Sequence, residues 1–262
     1  LELLENHPDA DLWVFELSSA QLLYTHRLKF AAATILNITP DHIDFHGSML
    51  DYIDAKQSIY HSAKVAIFSR EDALTYPQFP CQSQVSFGLS QASSDKDWGM
   101  IETSNGFEIA KGQEIWLNVN EIKLQGKHNW LNAQAAMALA AHVGINKEAI
   151  CQVLKSFTGL SHRAQWVREI AGVQFVNDSK ATNLGASLAA IEGIGPTIAG
   201  KIILIAGGLG KGAAFQSMRS SLKAFVAHAI LIGQDANILA DDWAGACQLH
   251  RAKNLKEAVE LS

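Results

Sequence analysis

The stretch Asn37-Ile38-Thr39-Pro40-Asp41-His42-Ile43-Asp44-Phe45-His46 gathers carboxylates and imidazoles where an apolar run, Ala32 to Ile38, gives out. Either histidine could ligate a metal or meet an acidic substrate, although a lone histidine is more often structural. Glu16 closes an earlier apolar run, Asp11 to Leu17. A hard carboxylate at the carboxyl edge of a parallel sheet suits Mg2+ bridging nucleotide phosphates; the plainer reading is an acid that caps the next helix. Asn177-Asp178-Ser179-Lys180-Ala181-Thr182-Asn183 leads from an apolar run into a helix, a turn able to hold a ribose hydroxyl together with phosphate or carboxylate oxygens. Gly207-Gly208-Leu209-Gly210-Lys211-Gly212 lets a ligand approach the backbone, and Lys211 adds a mobile positive charge. It is not a Walker A loop, because the GxxxxGK[ST] spacing occurs nowhere in the chain. Asn129 and Asn132 share a face of one helical turn and could read a purine edge, or simply cap the helix. Lys56, in Asp54-Ala55-Lys56-Gln57-Ser58-Ile59-Tyr60, reads by itself as a surface lysine.

The elements that must position these groups alternate. Residues 11–17 read as a buried parallel strand, Ala20 to Arg27 as a helix, Ala32 to Ile38 as a strand, Ser48 to Ser62 as a helix and Lys64 to Ser69 as a strand, a pattern that implies a parallel sheet with crossover helices. From Cys81 to Gln125, short alternating runs (VSFGL, WGMIET, GFEIAK, EIWLNV, EIKLQ) separated by Gly, Asn and Ser predict antiparallel strands. Helices are expected over His128 to Val143 and Lys147 to Phe157. A second alternation follows: strand Val173–Val176, helix about Asn183–Ile194, strand Ile202–Ala206, helix about Phe215–Val226, strand His228–Ile232. The expected fold class is α/β. A parallel-sheet nucleotide-binding central domain with an added antiparallel β region, residues 1–162, precedes a Rossmann-like α/β domain, residues 163–262, with 158–163 as the connection.

Composition sets the outer bounds. A chain of 262 residues with 48% hydrophobic and 18% charged residues is that of an ordinary globular protein. A net charge of -5 gives no reason to expect nucleic acid. No apolar run reaches the ~18 residues of a membrane helix, so no membrane insertion is expected. Cys81, Cys151 and Cys247 are distant and odd in number, which speaks against a disulfide framework or zinc site and for a reducing, cytoplasmic setting. The chain begins with Leu1 and stops within a helical stretch, so both ends read as cut.

Taken in order, ELSSAQL, NITPDHIDFHG, DAKQSIY, GKHNWLNAQAA, GLSHR, NDSKATN and GGLGKG resemble the successive blocks of the Mur ligase family over nearly the whole chain. Lys180 followed by Ala-Thr-Asn is similar to the members that add D-glutamate; members that add other amino acids, and folylpolyglutamate synthases, usually carry His-Asn-Pro-like or His-Thr-Pro-like wording there. The resemblance implies an ATP-dependent ligase that joins UDP-N-acetylmuramoyl-L-alanine to D-glutamate through an acyl phosphate, with ATP and Mg2+ as cofactors, acting as a monomer in peptidoglycan synthesis. By motif match it assigns Glu16 and His42 to the Mg2+ site and Lys56 to the family's carbamylated lysine beside a second metal. Asn129 and Asn132 match adenine contacts, Arg163 a phosphate contact, Asp178 a ribose contact, and Lys180 a charge near the transferring phosphate. Ser18 and Gln21 match contacts to the first substrate, and Thr182 and Lys211 the D-glutamate carboxylate site. The family's phosphate-binding loop and UDP-binding domain, expected before the first block, and a further amino-acid-site block expected after residue 262 are absent, so the chain as given is expected not to turn over. The alternatives are a sister ligase, a folylpolyglutamate synthase-like ligase, or a non-catalytic nucleotide-binding fragment.

Overall fold

The structure, a computed structural model, describes residues 5–25, 27–124, 126–209 and 214–262. After a short helix α1 (Ser19–Leu23), strand β1 (Phe30–Ile35) leads through the helical turn α2 (Ile43–His46) into α3 (Met49–His61), β2 (Ala63–Ser69) and β3 (Ser83–Phe87). The three strands form one parallel sheet in the order β1-β2-β3, with β1 at one margin. Ser48 starts α3 by accepting the Asp51 N–H on its side chain. The central strand is buried on both faces, as an inner parallel strand must be: Ala66 and Ile67 have no exposed area at all.

One face of the sheet packs on α3 through Ala33, Ile35, Ile53 and Tyr60. The Tyr60 hydroxyl, itself buried, accepts the Ile35 N–H at 3.1 Å and donates to the Ile67 carbonyl at 2.9 Å, pinning β1 to β2. The other face packs on α4 (Lys127–His142), whose Ala133, Ala135 and Ala138 bring the helix close. An antiparallel sheet, β4 (Trp98–Thr103), β5 (Gly106–Lys111) and β6 (Glu114–Asn118), adds Trp98, Ile109 and Leu117 to that same core. Arg70 joins the two sheets, donating to Ser86 Oγ at 2.8 Å and to the Trp98 carbonyl at 2.9 Å. Helix α5 (Lys147–Ser156) closes this part.

The second part opens with an antiparallel hairpin, β7 (Gln165–Ile170) and β8 (Val173–Asn177). Helix α6 (Leu184–Ile194) then precedes a parallel sheet of β9 (Ile202–Gly207), β10 (Val226–Ile232) and β11 (Gln248–Arg251), in the order β11-β10-β9. Helices α6, α7 (Arg219–Phe225) and α8 (Ala236–Trp243) cover one face through Ile191, Leu222, Leu231 and Trp243, and α9 (Leu255–Leu261) ends the described chain.

The α/β class holds, and four local expectations change. Residues 12–18 carry no regular structure, and Val14 in their middle is 84% exposed, so Glu16 does not end a strand. VSFGL pairs parallel with β2; Val85 and Phe87 face one core while Ser86 between them accepts from Arg70, and such alternation does not distinguish a parallel partner from a hairpin. In EIKLQ, residues 121–124 carry no strand, and Val119–Glu121 form a 3-10 turn. The Val173–Val176 strand pairs antiparallel with a strand over 165–170 that sequence reading missed, and among the described residues it joins no parallel sheet.

Candidate active site

The loop that leaves β1 is held from below. The Ile38 N–H donates to Asp72 Oδ2 at 2.7 Å, and the Ile38 side chain is buried. This fixes the polar segment 39–42 above the sheet's carboxyl edge, where α/β folds bind ligands. His42 adopts a left-handed conformation (φ 52°), an uncommon state for a residue with a Cβ that clusters at functional turns.

Asp41 is the hub. Its Oδ1 accepts the His42 N–H at 2.9 Å, and its Oδ2 lies 3.7 Å from His42 Nε2. Lys56 and Tyr52, one turn apart on α3, sit together, with the Lys56 amine 5.1 Å from the Tyr52 ring centroid. Burial lowers the Lys56 pKa below that of an ordinary amine, and the nearby Asp41 carboxylate opposes this. Burial raises the Tyr52 phenol, and Asp41 adds to the shift. Lys56 is thus a half-buried amine facing a carboxylate rather than a free surface lysine.

The second part of the chain reaches the same carboxylate. Asn183 caps α6, its Oδ1 accepting the Ala186 N–H at 2.9 Å, and its Nδ2 donates to Asp41 Oδ2 at 3.3 Å. The approach is close: a Cβ on Gly185 would lie 2.9 Å from Thr39 Cγ2. Behind it, Asp178 Oδ1 accepts the Ala164 N–H at 2.9 Å, and the Lys180 N–H donates to the His162 carbonyl at 3.0 Å. His162 and Ala164 both hold positive φ, 66° and 43°, so the connection is folded back tightly on the 177–180 turn. The start of α4 meets this region through His128. Burial lowers its pKa, the Asp178 carboxylate opposes the shift, and a Cβ on Gly193 would come within 3.0 Å of its ring.

The structure therefore brings together the 39–42 loop, Lys56, the 177–183 turn and the first turn of α4. Asn129 is half-buried in that turn, whereas Asn132, Arg163, Lys180 and Thr182 are exposed along its margin. Ser18 and Gln21 are occupied with each other in a capping box on α1: Gln21 Oε1 accepts the Ser18 N–H at 2.9 Å, and Ser18 Oγ accepts the Gln21 N–H at 3.2 Å. Their neighbour Ser19 instead reaches His46 Nε2 at 2.9 Å. It lies beside a groove of about 640 Å3 lined by Leu22, Phe45, His46, Asp51, Asp54 and His61. Lys211 lies outside the described residues.

Glu16 is exposed on the irregular segment. Among the described residues no three His, Cys, Asp or Glu side chains are grouped to hold a metal ion; Glu16 and His42 offer a carboxylate and an imidazole, donors suited to Mg2+. Asp41, Tyr52, Asn183 and Gly185 were missed as site residues. The first three stand inside or beside the quoted motifs, but only the fold shows that they meet.

Two family profiles match the chain: the Mur ligase middle domain over residues 1–140, and the Mur ligase glutamate ligase domain over residues 162–262. A UDP-N-acetylmuramoylalanine–D-glutamate ligase of Legionella pneumophila strain Lens is 48% identical over 265 residues, covering all of this chain and 59% of that protein. The protein of the same name from Pseudomonas aeruginosa is 44% identical over 263 residues, covering 99% of this chain and 57% of it. The chain thus spans under two thirds of these relatives. Among solved structures, MurC of Thermotoga maritima matches with a TM-score of 0.64 at 16% identity, over 88% of this chain and 53% of that one. A Mycobacterium tuberculosis folylpolyglutamate synthase, solved with ADP and AMPPCP, matches with a TM-score of 0.66 at 16% identity, over 88% and 56%. These two speak for the fold alone.

Proposed function

The chain belongs to the Mur ligase family, and from that premise we propose that it is part of the ligase that joins D-glutamate to UDP-N-acetylmuramoyl-L-alanine in peptidoglycan precursor synthesis. We read the two parts as the family's middle and C-terminal domains with the boundary near residue 162, a reading supported by profile matches over residues 1–140 and 162–262. The observation that carries the reading is the meeting of the acid–imidazole loop with the NDSKATN turn through Asp41 and Asn183. One set of groups comes from each part of the chain, as an enzyme that must align a nucleotide with two further substrates requires.

ATP is the co-substrate. A carboxylate oxygen of the muramoyl-alanine takes the γ-phosphoryl group, giving ADP and an acyl phosphate. The D-glutamate amine then attacks the acyl carbon, and inorganic phosphate leaves with the former carboxylate oxygen. The protein's task is alignment and charge neutralisation. Asn129 and Asn132 would contact adenine, Asp178 the ribose and Arg163 a phosphate. Lys180 would neutralise charge at the transferring phosphoryl group, and Thr182 and Lys211 would hold the D-glutamate carboxylate. Ser18 and Gln21 would contact the first substrate once their mutual cap opens. Mg2+ enters this reading through the chemistry of ATP and the motif match: Glu16, His42 and Lys56 would hold it, and it would neutralise charge on the phosphates.

Lys56 fits the role of a carbamylated lysine. Carbamylation requires the neutral amine to add to CO2, and a burial-lowered pKa enlarges the neutral fraction. In this reading the enzyme acts in the cytoplasm as a monomer. No helix among the described residues is long and apolar enough to cross a membrane.

The test is phosphate release by the full-length protein. Release should require ATP, UDP-N-acetylmuramoyl-L-alanine and D-glutamate together, with L-glutamate inert. Equal turnover with L-lysine, diaminopimelate or a folate substrate would replace the reading with a sister ligase. Lys56→Ala should lose at least a hundredfold in kcat and regain part of it in bicarbonate or a short carboxylate; absence of rescue would remove the carbamyl group from the account.

A further inference from the structure

On the second sheet two histidines meet that the proposed reaction does not use. His228 stands on β10 and His250 on β11. The strands are parallel, with His228 opposite Gln248 and Ile230 opposite His250, so the two imidazoles are diagonal neighbours on one face. His228 Nδ1 lies 3.0 Å from His250 Nε2, the ring centroids are 5.3 Å apart and the planes are inclined by 34°. His228 interrupts the otherwise apolar strand Val226–Ile232, whose Ala229, Ile230 and Leu231 are all but fully buried, while the imidazole pair remains open to solvent.

We propose that His228 and His250 form a bidentate site for a divalent transition-metal ion, with water in the remaining positions. The distance argues for the class of ion. Metal–imidazole bonds of about 2.0–2.1 Å place two nitrogens about 2.9 Å apart when the angle at the metal is near 90°, and about 3.3–3.4 Å apart at the tetrahedral angle. The 3.0 Å separation is that of a hydrogen bond in the free pair and lies close to the right-angled value, so the rings need only turn both lone pairs toward a common point to reach the bite that tetragonal Cu2+ and Ni2+ prefer. Two imidazoles also suit these ions in ligand type. Among the described residues no third His, Cys, Asp or Glu joins the pair, so the coordination positions facing solvent stay open.

Proton accounting is simple. In the free pair one facing nitrogen carries a hydrogen and the other accepts it. Binding needs both lone pairs, so that hydrogen moves to the far nitrogen of its own ring, and both facing nitrogens are then free to ligate.

The experiment is calorimetric titration of the protein with CuCl2, NiCl2 and ZnCl2 in a non-coordinating buffer, with Cu2+ electron paramagnetic resonance as the structural readout. His250→Gln and His228→Gln are compared; His250 is exposed and His228 half-buried, and thermal melting without metal verifies that each variant folds. One Cu2+ per chain should bind with two nitrogen ligands, in affinity order Cu2+ over Ni2+ over Zn2+. Either variant should weaken that site at least tenfold and reduce its nitrogen hyperfine pattern to one ligand. Unchanged binding and spectra in either variant, or a wild-type preference for Zn2+ over Ni2+, would overturn the proposal. A variant that misfolds is replaced by His250→Asn, read in the same way.

Discussion

Asn183 does two jobs whose energies can be separated. Its Oδ1 caps α6 at 2.9 Å from the Ala186 nitrogen, and its Nδ2 donates to Asp41 Oδ2 at 3.3 Å. Ser and Asp cap helices about as well as Asn does, so Asn183→Ser and Asn183→Asp both keep the cap and lose the donor. A hydrogen bond to a charged partner is worth about 1.5–3 kcal/mol, and at this longer-than-average distance the lower end applies, about 1.5 kcal/mol for Asn183→Ser. Asn183→Ala forfeits the cap as well, about 1 kcal/mol more. Asn183→Asp sets a second carboxylate against Asp41. At about 4 Å and an effective permittivity near 20 the repulsion reaches ~4 kcal/mol before the side chains turn away, so this variant should be the worst of the three. Exchanging the partners, Asp41→Asn with Asn183→Asp, restores one donor and one acceptor. The assay is urea unfolding followed by tryptophan fluorescence, with stability read from midpoints at constant slope. The double variant should be more stable than the sum of its single changes by at least 1 kcal/mol, a difference a double-mutant cycle isolates. If Asn183→Ser matches the wild type, or if the double variant is merely additive, the bridge between the two parts of the chain contributes nothing and the carrying observation of the functional reading loses its force.

Three further outcomes follow from the packing. Gly185→Ala places a methyl 2.9 Å from Thr39 Cγ2; overpacking costs about 1–3 kcal/mol, exceeding the helix-propensity gain of at most ~1 kcal/mol, so melting should fall, and an unchanged or raised Tm would show that α6 need not sit against Thr39. Gly207→Ala should be more severe than any of these: at φ 152° its Cβ would lie 1.8 Å from the Ile232 carbonyl oxygen, and soluble, normally melting protein would contradict the geometry of the β9–β10 corner. Tyr60 supplies an alkaline limit. Burial holds its phenol pKa far above the ordinary value of 10, so the unfolded chain loses its proton first and stability falls as pH rises above about 10. Tyr60→Phe should lower stability at neutral pH by about 2–4 kcal/mol, since the Ile35 N–H and Ile67 carbonyl both lose a buried partner, and should flatten the alkaline decline; an equally steep decline would assign it to other groups.

Helix positions were legible because period and caps agree. Ser48, Asn146, Asn183 and Asn254 each accept a backbone N–H at the start of the helix that follows. Strand partners were less legible. VSFGL alternates like a hairpin strand yet pairs parallel with β2, because alternation reports two unlike faces and not the direction of a neighbour. DLWVFEL has a strand's composition, but among the described residues it pairs with no strand and stays irregular, so composition alone does not make a strand. In the site, motif reading pointed to His42 and Lys56 but passed over Asp41, whose importance comes from contacts with residues 11 and 142 positions away, at Tyr52 and Asn183. Lys56 shows the same limit. Its sequence neighbours describe an amphipathic surface, and only the fold buries the amine beside a carboxylate.

The margin position of β1 has a practical consequence. Among the described residues Phe30–Ile35 hydrogen-bonds to a neighbour strand on one side only, and its sequence, FAAATI, carries no charge, proline or bulge that would discourage another strand from docking. Such a border is a template for backbone pairing with any extended apolar segment, including the Leu12–Phe15 run of a second molecule. Self-association of this chain in concentrated solution should therefore start at that border, and a lysine placed at the exposed Ala31 would be the first remedy to try when preparing it.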